Sequence, residues 1–263
     1  MMLFFIGAVS AAQLSSREHA EVLPKGTTQL GVFGPLRLGL GKDMELSTQP
    51  LANVLAPNVS LKRELSSADS WTLSAQGDLA YTSFLIDTLA RDGIGGILAP
   101  DIEIPQRVDL NVRLLWTKAL GDHSLTTRLR ADFALPPYTS DSSKGMAYTS
   151  IDMPLVYVRT HEASFALNAG AQIDGPIGER LGYELGAWYW LIPSVEEGNW
   201  SVEQRSVLSA QLGSSCWMQA GALTVLGDYP YGRNWHVLPV VDFKWQWSST
   251  SKSKGSKSIQ SSP

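Results

Sequence analysis

The chain contains 263 residues, of which 44% are hydrophobic, and 21 basic against 25 acidic residues give it a formal net charge of −4. This balance provides no global basic field and argues against nucleic-acid binding. The single cysteine, Cys216, excludes an internal disulfide framework and a metal site built from several cysteines. The length suits one large all-β unit, and no break in composition indicates two domains.

Residues 1–12 predict a signal peptide. An apolar run at 3–9 is followed by Ser10, Ala11 and Ala12, small residues that suit cleavage after Ala12. The run is short, and no basic residue precedes it. We expect an exported chain with an N-terminal segment at 13–26. No later stretch reaches the ~18 apolar residues of a membrane helix, so any membrane insertion must use strands.

From residue 27 to residue 247, apolar and polar residues alternate with a period of two. The stretches WTLSAQGDLAYTS from Trp71 and RVDLNVRLLW from Arg107 are clear examples. This period is typical of strands with one apolar and one polar face. It predicts an all-β domain of about twelve strands, near 27–41, 43–50, 58–65, 71–83, 107–118, 123–135, 150–160, 163–174, 179–192, 200–213, 216–228 and 234–247.

Alternation alone fits both a soluble β-sandwich, whose apolar faces meet inside, and a membrane barrel, whose apolar faces meet lipid. The positions of the aromatic residues favour the barrel. Trp71 and Tyr81 lie ten residues apart on one apolar face, and so do Trp235 and Trp245. Ten residues of strand measure about 33 Å, or about 25 Å in height at a tilt of roughly 40°, the separation expected between two aromatic girdles. The predicted girdle comprises Trp71, Tyr81, Trp116, Trp188, Trp190, Trp200, Trp235, Trp245 and Trp247.

The sequence therefore predicts a single antiparallel transmembrane β-barrel of about 10–12 strands. The stretches SFLIDTLAR and QPLANVL have helix-like apolar spacing, which predicts short helical segments in its connections. If both termini lie in the periplasm, the strand count places the longest connection, 84–106, on the periplasmic rim, where turns are usually short. Either the count is wrong by one strand or this rim is unusual.

The last predicted strand, WHVLPVVDFKWQW at 235–247, has apolar residues at every odd position and ends on an aromatic. It resembles the assembly signal of Gram-negative outer-membrane β-barrel proteins, here in Val241, Phe243, Trp245 and Trp247. The stretch LRLGLGKDMELSTQPLANVLAPNVSLK at 36–62 is similar to the opening hairpins of uncharacterised predicted barrels of that class. The resemblance implies a location in the bacterial outer membrane, with outer-membrane lipid and the barrel-assembly machinery as partners.

Such barrels usually end at the closing aromatic, whereas this chain continues through a serine- and lysine-rich tail at 248–263. The tail has almost no apolar content, which predicts disorder. A contact of its lysines with acidic lipid head groups or cell wall is the alternative.

No catalytic or cofactor motif is present in the sequence. It lacks a Gly-x-Ser-x-Gly elbow and a His-Glu-x-x-His pair. The four histidines are scattered without metal-ligand spacing. His161 lies near Ser164 and Glu162 at a predicted turn, where such side chains are usually solvated. We therefore predict no catalytic residues, no metal and no cofactor, and expect that the protein is not an enzyme.

The polar faces of the strands predict a charged lumen. Arg128 and Arg130 share one face, and a turn at Gly121-Asp122 would place residue 113 opposite a position near 130. The predicted lumen-lining charges are Asp78, Asp109, Arg113, Arg128, Arg130, Asp132, Asp174, Glu184, Arg205, Asp242 and Lys244.

Two functions are consistent with this lumen. The charges could pair across a narrow barrel and fill it, which would give a structural barrel. They could instead line a narrow channel for small polar or anionic solutes. A barrel-embedded enzyme and a secreted soluble β-sandwich binding protein are the alternatives from other classes.

Overall fold

The structure, a computed structural model, describes residues 18–54, 56–81, 106, 108–135, 165–193, 199–227 and 233–249. Twelve strands in these ranges form one closed antiparallel barrel, in which each strand pairs with its neighbour in sequence and the first pairs with the last. The predicted all-β antiparallel barrel is therefore confirmed. The strands are β1 (Thr27–Gly31), β2 (Leu36–Gly41), β3 (Met44–Thr48), β4 (Asn58–Ala68), β5 (Trp71–Ala80), β6 (Val108–Leu120), β7 (His123–Leu135), β8 (Phe165–Pro176), β9 (Leu181–Leu191), β10 (Trp200–Gln211), β11 (Cys216–Gly227) and β12 (Asn234–Ser248).

The predicted number of strands agrees with the structure, although the division of the chain differs. The predicted strand at 27–41 is a hairpin of β1 and β2, because the Gly34-Pro35 pair interrupts the alternation and favours a turn. The predicted strand at 150–160 lies outside the described residues, and β7 pairs directly with β8. Of the two stretches with helical spacing, 49–55 contains a short 3-10 helix, Ala52–Val54, and 83–91 lies outside the described residues.

The extra hairpin changes the rim at which each connection lies. Thr27 of β1 pairs with Ser248 of β12, so both ends of the barrel wall meet at one rim. The short turns at 42–43, 69–70, 121–122, 177–180 and 212–215 share this rim. The strand ends that flank 81–107 and 136–164, at Ala80, Val108, Leu135 and Phe165, lie at the opposite rim. The predicted placement of the longest connection beside the termini is therefore wrong, because β1 and β2 were counted as one strand. Short turns on one rim and long connections on the other are usual for outer-membrane barrels.

The barrel wall is apolar outside and polar inside. On the outer face, Leu129 is 61% exposed and Val241 is 48% exposed, whereas Asp132 on the inner face is 1% exposed. A soluble β-sandwich would bury its apolar faces instead. The soluble alternative is therefore excluded for these strands. Within the described ranges, the structure contains no helix with the length and apolar character needed to span a membrane.

Seven of the nine predicted girdle residues lie in the outward register. Trp71, Trp116, Trp245 and Trp247 lie towards the rim of the termini, and Tyr81, Trp200 and Trp235 lie towards the opposite rim. The prediction is wrong for Trp188 and Trp190, which are 5% and 3% exposed and face the lumen. Their separation from Glu184 by four and six residues already puts all three side chains on one face of β9.

Candidate functional site in the barrel lumen

The strand pairing places all eleven predicted lumen charges on the inner face. Arg113 of β6 lies directly opposite Arg130 of β7, as the turn at Gly121-Asp122 predicted. The inner face also carries four charges that are absent from the predicted set, Arg37, Glu45, Lys62 and Glu203. The alternation in LRLGLGKDMEL indicates Arg37 and Glu45.

A segment that belongs to no strand occupies part of the lumen. It consists of residues 18–24, which precede β1, and we call it the lumen segment. Ala20 is fully buried, and its backbone N–H donates to Thr117 Oγ1 on β6 at 2.8 Å. Lys62 Nζ on β4 donates to the carbonyl oxygens of His19 and Glu21, both at 3.0 Å. The lumen segment is thus held by side chains that project inward from the wall.

The end of the lumen segment nearest β1 packs against β2 and β3. The backbone N–H of Leu23 donates to Glu45 Oε2 at 3.0 Å, and Arg37 holds the same carboxylate through two bonds of 2.8 Å. Gly39 lies directly beneath this backbone, because a Cβ atom there would come within 2.1 Å of the carbonyl oxygen of Pro24. Residue 39 must therefore lack a side chain for the segment to lie where it does.

At its other end, the lumen segment reaches the lumen arginines. Glu18 Oε2 lies 2.8 Å from Arg128 Nη1, and Glu18 Oε1 lies 3.5 Å from Arg113 Nη1. One carboxylate thus bridges guanidinium groups on two neighbouring strands. His19 next to it contacts Asp174 of β8, with 2.7 Å between Nε2 and Oδ1. No sequence pattern indicates these contacts, because residues 18 and 19 lie outside the strand alternation.

Both arginines are also held by the wall itself. Arg113 Nη2 lies 2.7 Å from Asp78 Oδ2 on β5. Arg128 Nε donates to Asn168 Oδ1 on β8 at 2.9 Å, and its guanidinium lies 4.7 Å above the ring of Trp188. Such stacking on an aromatic face stabilises a cation, especially where water is excluded. These contacts orient the two guanidinium groups towards Glu18.

The ring of Trp188 fits the wall because two glycines lie beneath it. A Cβ atom at Gly170 would come within 2.4 Å of the Trp188 ring, and one at Gly186 within 2.3 Å. The ring therefore lies closer to the wall than any residue with a side chain would allow. Glycines at these two positions thus create the flat platform on which Arg128 stacks.

Further lumen charges pair along the wall. Arg130 Nε donates to Asp132 Oδ1 at 2.9 Å, and its guanidinium lies 5.0 Å above the ring of Trp190. Arg205 of β10 lies 3.2 Å from Glu184 of β9. Most of the charges thus have partners of opposite sign, as a wall buried from water requires.

The inner face of β10 and β11 has a different character. Val207, Trp217, Leu223 and Val225 are buried there, with exposed fractions of 9% or less. Glu203 and Arg205 lie on the same face, so the lumen has a charged side, which faces the lumen segment, and a side where a few charges lie among buried apolar residues. In the described ranges, no group of three or more histidine, cysteine, aspartate or glutamate side chains is arranged to hold a metal ion.

A closed antiparallel barrel with an apolar outer band, aromatic residues towards both rims and a polar lumen is an outer-membrane-type β-barrel. The protein belongs to this class, and its place is the bacterial outer membrane. The class follows from the topology and the two faces of the wall.

Comparison with known proteins gives no family. No protein-family model matches the sequence, and no curated protein matches it. Three solved structures have similar barrels, each at 10% sequence identity over 84% of this chain. They are the outer membrane channel DcaP of Acinetobacter baumannii (TM-score 0.38), the outer membrane protein opdK of Pseudomonas aeruginosa (TM-score 0.39) and a Pseudomonas aeruginosa FadL homologue (TM-score 0.40). The chain covers 62%, 56% and 68% of their respective lengths.

Proposed function

We propose that the protein is an outer-membrane channel for small anionic solutes. One observation carries this proposal: the two arginines at the centre of the charged side share a carboxylate that comes from the lumen segment rather than from the wall. A structural barrel can neutralise its buried charges within the wall, as Arg130 does with Asp132. Arg113 also pairs with Asp78 of the wall, whereas Arg128 pairs with the Glu18 carboxylate, which occupies space in the lumen that a solute would use.

The electrostatics of this side favour anions. Arg113, Arg128 and Arg130 lie on adjacent inner positions of β6 and β7. Rings or clusters of basic side chains in a narrow pore lower the energy of a passing anion and raise that of a cation. The lumen segment lies on the same side, so conduction along the arginines requires this segment to move aside. We assign no catalytic role to these lumen residues.

A structural barrel with a filled lumen is the second candidate. The lumen segment and the paired charges favour it, because both occupy space that a solute would need. The two candidates differ in one measurable property. A filled barrel does not conduct ions, whereas a channel conducts them at least when the lumen segment is displaced.

Conductance in planar lipid bilayers under a salt gradient tests the proposal. We expect the purified full chain to show a reversal potential that indicates anion preference. Arg128→Glu combined with Arg130→Glu should move this potential towards cations. The matched control is Arg180→Glu in the exposed turn between β8 and β9, which should leave it nearly unchanged.

If the lumen segment prevents ion conduction by the full chain, a variant in which this segment is displaced still tests the channel. Gly39→Ala introduces a methyl group where the segment backbone lies, and it leaves every charge in place. If neither the full chain nor Gly39→Ala conducts, the channel proposal fails and the structural barrel replaces it.

A further inference from the structure

The carboxylate of Glu18 is bound as a small anion would be bound. Its two oxygens contact different arginines, Arg128 at 2.8 Å and Arg113 at 3.5 Å. Its side chain is 13% exposed, so these contacts are largely shielded from water. The contact with Arg128 is a charge-assisted hydrogen bond, and such bonds are about twice as strong as neutral ones.

The wall builds this site independently of the lumen segment. Asn168 and the ring of Trp188 orient Arg128, and Asp78 orients Arg113. All three groups belong to hydrogen-bonded strands. Because the guanidinium groups are held by these neighbours, removal of Glu18 would leave a preorganised pair of donors. Preorganised donors bind an anion without the cost of ordering flexible side chains.

The two arginines can be balanced by one carboxylate in addition to that of Asp78. Asp78 pairs with Arg113 at 2.7 Å, and Glu18 pairs with Arg128 at 2.8 Å. Without Glu18, Arg128 would stay buried without the carboxylate that it contacts, and burial of a charge without a partner is costly. A monocarboxylate would restore the balance with the same geometry.

We propose that Arg113, Arg128 and the Trp188 platform form a binding site for the carboxylate of a small anion, and that Glu18 is its built-in occupant. This inference rests on the proposed channel and names the chemical class of its solute. A carboxylate tethered by a few residues has an effective concentration in the millimolar range. A solute carboxylate must therefore compete with Glu18, and its binding displaces the end of the lumen segment.

Chemical rescue by acetate tests this site without any need for conduction. Glu18→Ala removes the occupant but leaves the hydrogen-bonded wall unchanged. Its unfolding temperature, measured in detergent by the shift in electrophoretic mobility on heating, should be lower than that of the unmodified chain. Sodium acetate should raise it by about 2–4 °C more than sodium chloride of equal ionic strength, because only the carboxylate fills the site.

Two further variants make the result specific. Glu21→Ala is the matched control, because Glu21 lies in the same segment, has a half-exposed side chain and is paired with His19 at 3.9 Å rather than with an arginine. Acetate and chloride should act equally on it. In the double variant Glu18→Ala with Arg128→Gln, the gain from acetate should be lost.

Equal effects of acetate and chloride on Glu18→Ala would overturn the inference. An equal acetate gain in Glu21→Ala would also overturn it, because the effect would then not depend on the arginines. Rescue of Glu18→Ala in a barrel that conducts no ions would support the carboxylate site and reject only the channel. The two proposals therefore fail on different measurements.

Discussion

The two sides of the lumen wall are built differently. On the charged side, β3 to β8 present Glu45, Lys62, Arg113, Arg128 and Asp174, which contact the lumen segment. On the opposite side, the inner faces of β10 and β11 bury Val207, Trp217, Leu223 and Val225. Both sides belong to the same closed sheet and have the same apolar exterior.

The comparison shows how the chemistry of the wall fixes the position of the lumen segment. Buried charges are destabilising unless they are paired. The charges of the charged side therefore need partners, and the lumen segment supplies some of them. Buried apolar side chains need only close packing. The lumen segment has two acidic residues, a histidine and backbone N–H groups that donate to side chains of the wall, and it therefore lies against the charged side. A solute in this lumen would meet Arg113, Arg128 and Arg130 on one side, and on the other side buried apolar side chains beside the Arg205–Glu184 pair.

The assignment of inner and outer faces can be tested on β12. Replacing an apolar residue on its outer face by an acidic one should have the largest effect. Phe243→Asp or Trp245→Asp places a carboxylate in lipid and should reduce the folded fraction in the outer membrane several-fold. Gln246→Asp is the control, because residue 246 faces the polar lumen near the same rim. Membrane fractionation with heat-modified electrophoresis measures the folded fraction. Equal assembly of the three variants would contradict the assigned faces.

Displacement of the lumen segment should have the next largest effect. Gly39→Ala puts a methyl group within about 2 Å of the carbonyl oxygen of Pro24, so the segment must leave β2. We expect ion conductance in planar bilayers to increase several-fold. Gly77→Ala is the matched control, because a Cβ atom at Gly77 has nothing within 4 Å. If both variants conduct like the unmodified chain, the segment does not limit access to the lumen.

A smaller effect should follow from disturbing the platform on the charged side. Gly186→Ala forces the Trp188 ring away from the wall, which weakens the support of Arg128 without removing a charge. Anion preference under a salt gradient should decrease but not reverse. Gly178→Ala, in the turn of the same hairpin and with open space around it, should leave the preference unchanged. A full reversal in Gly186→Ala would show that Trp188 does more than position the arginine.

The smallest effect on ion selectivity should come from the apolar side. Leu223→Ala removes a buried side chain and should lower the free energy of unfolding by about 2–3 kcal/mol through the cavity that it leaves. The reversal potential should stay within experimental error of that of the unmodified chain. A shift of the reversal potential as large as that of the arginine variants would mean that the apolar side also determines ion selectivity.

The sequence predicted the wall better than its contents. Alternation with a period of two assigns inner and outer residues in every long strand, and the tight turn at Gly121-Asp122 fixed Arg113 opposite Arg130. Where both faces of a strand carry large aromatic residues, as in LGYELGAWYWL, aromatic content no longer distinguishes them. Aromatic content therefore predicts Trp188 and Trp190 on the outer face, whereas the alternation puts them on the same face as Glu184.

The lumen segment could not be predicted from the pattern of the sequence. Its position depends on contacts between residues distant in the chain, such as Glu18 with Arg128, which are 110 residues apart. These contacts follow no local period, and a short polar stretch before the first strand has no pattern of its own. Likewise, the need for a glycine at position 39 follows only from the backbone of Pro24, which lies over it.

Cross-linking of the lumen segment to the wall tests the central claim most directly. In a Cys216→Ser background, Ala20→Cys with Thr117→Cys introduces two thiols at positions joined by a 2.8 Å hydrogen bond between backbone and side chain. Mild oxidation of the folded full chain should form a disulfide in this pair and none in Ala20→Cys with Val225→Cys, which lies on the apolar side. A cross-link of equal yield in both pairs, or none in the first, would contradict a lumen segment seated on the charged side of the barrel.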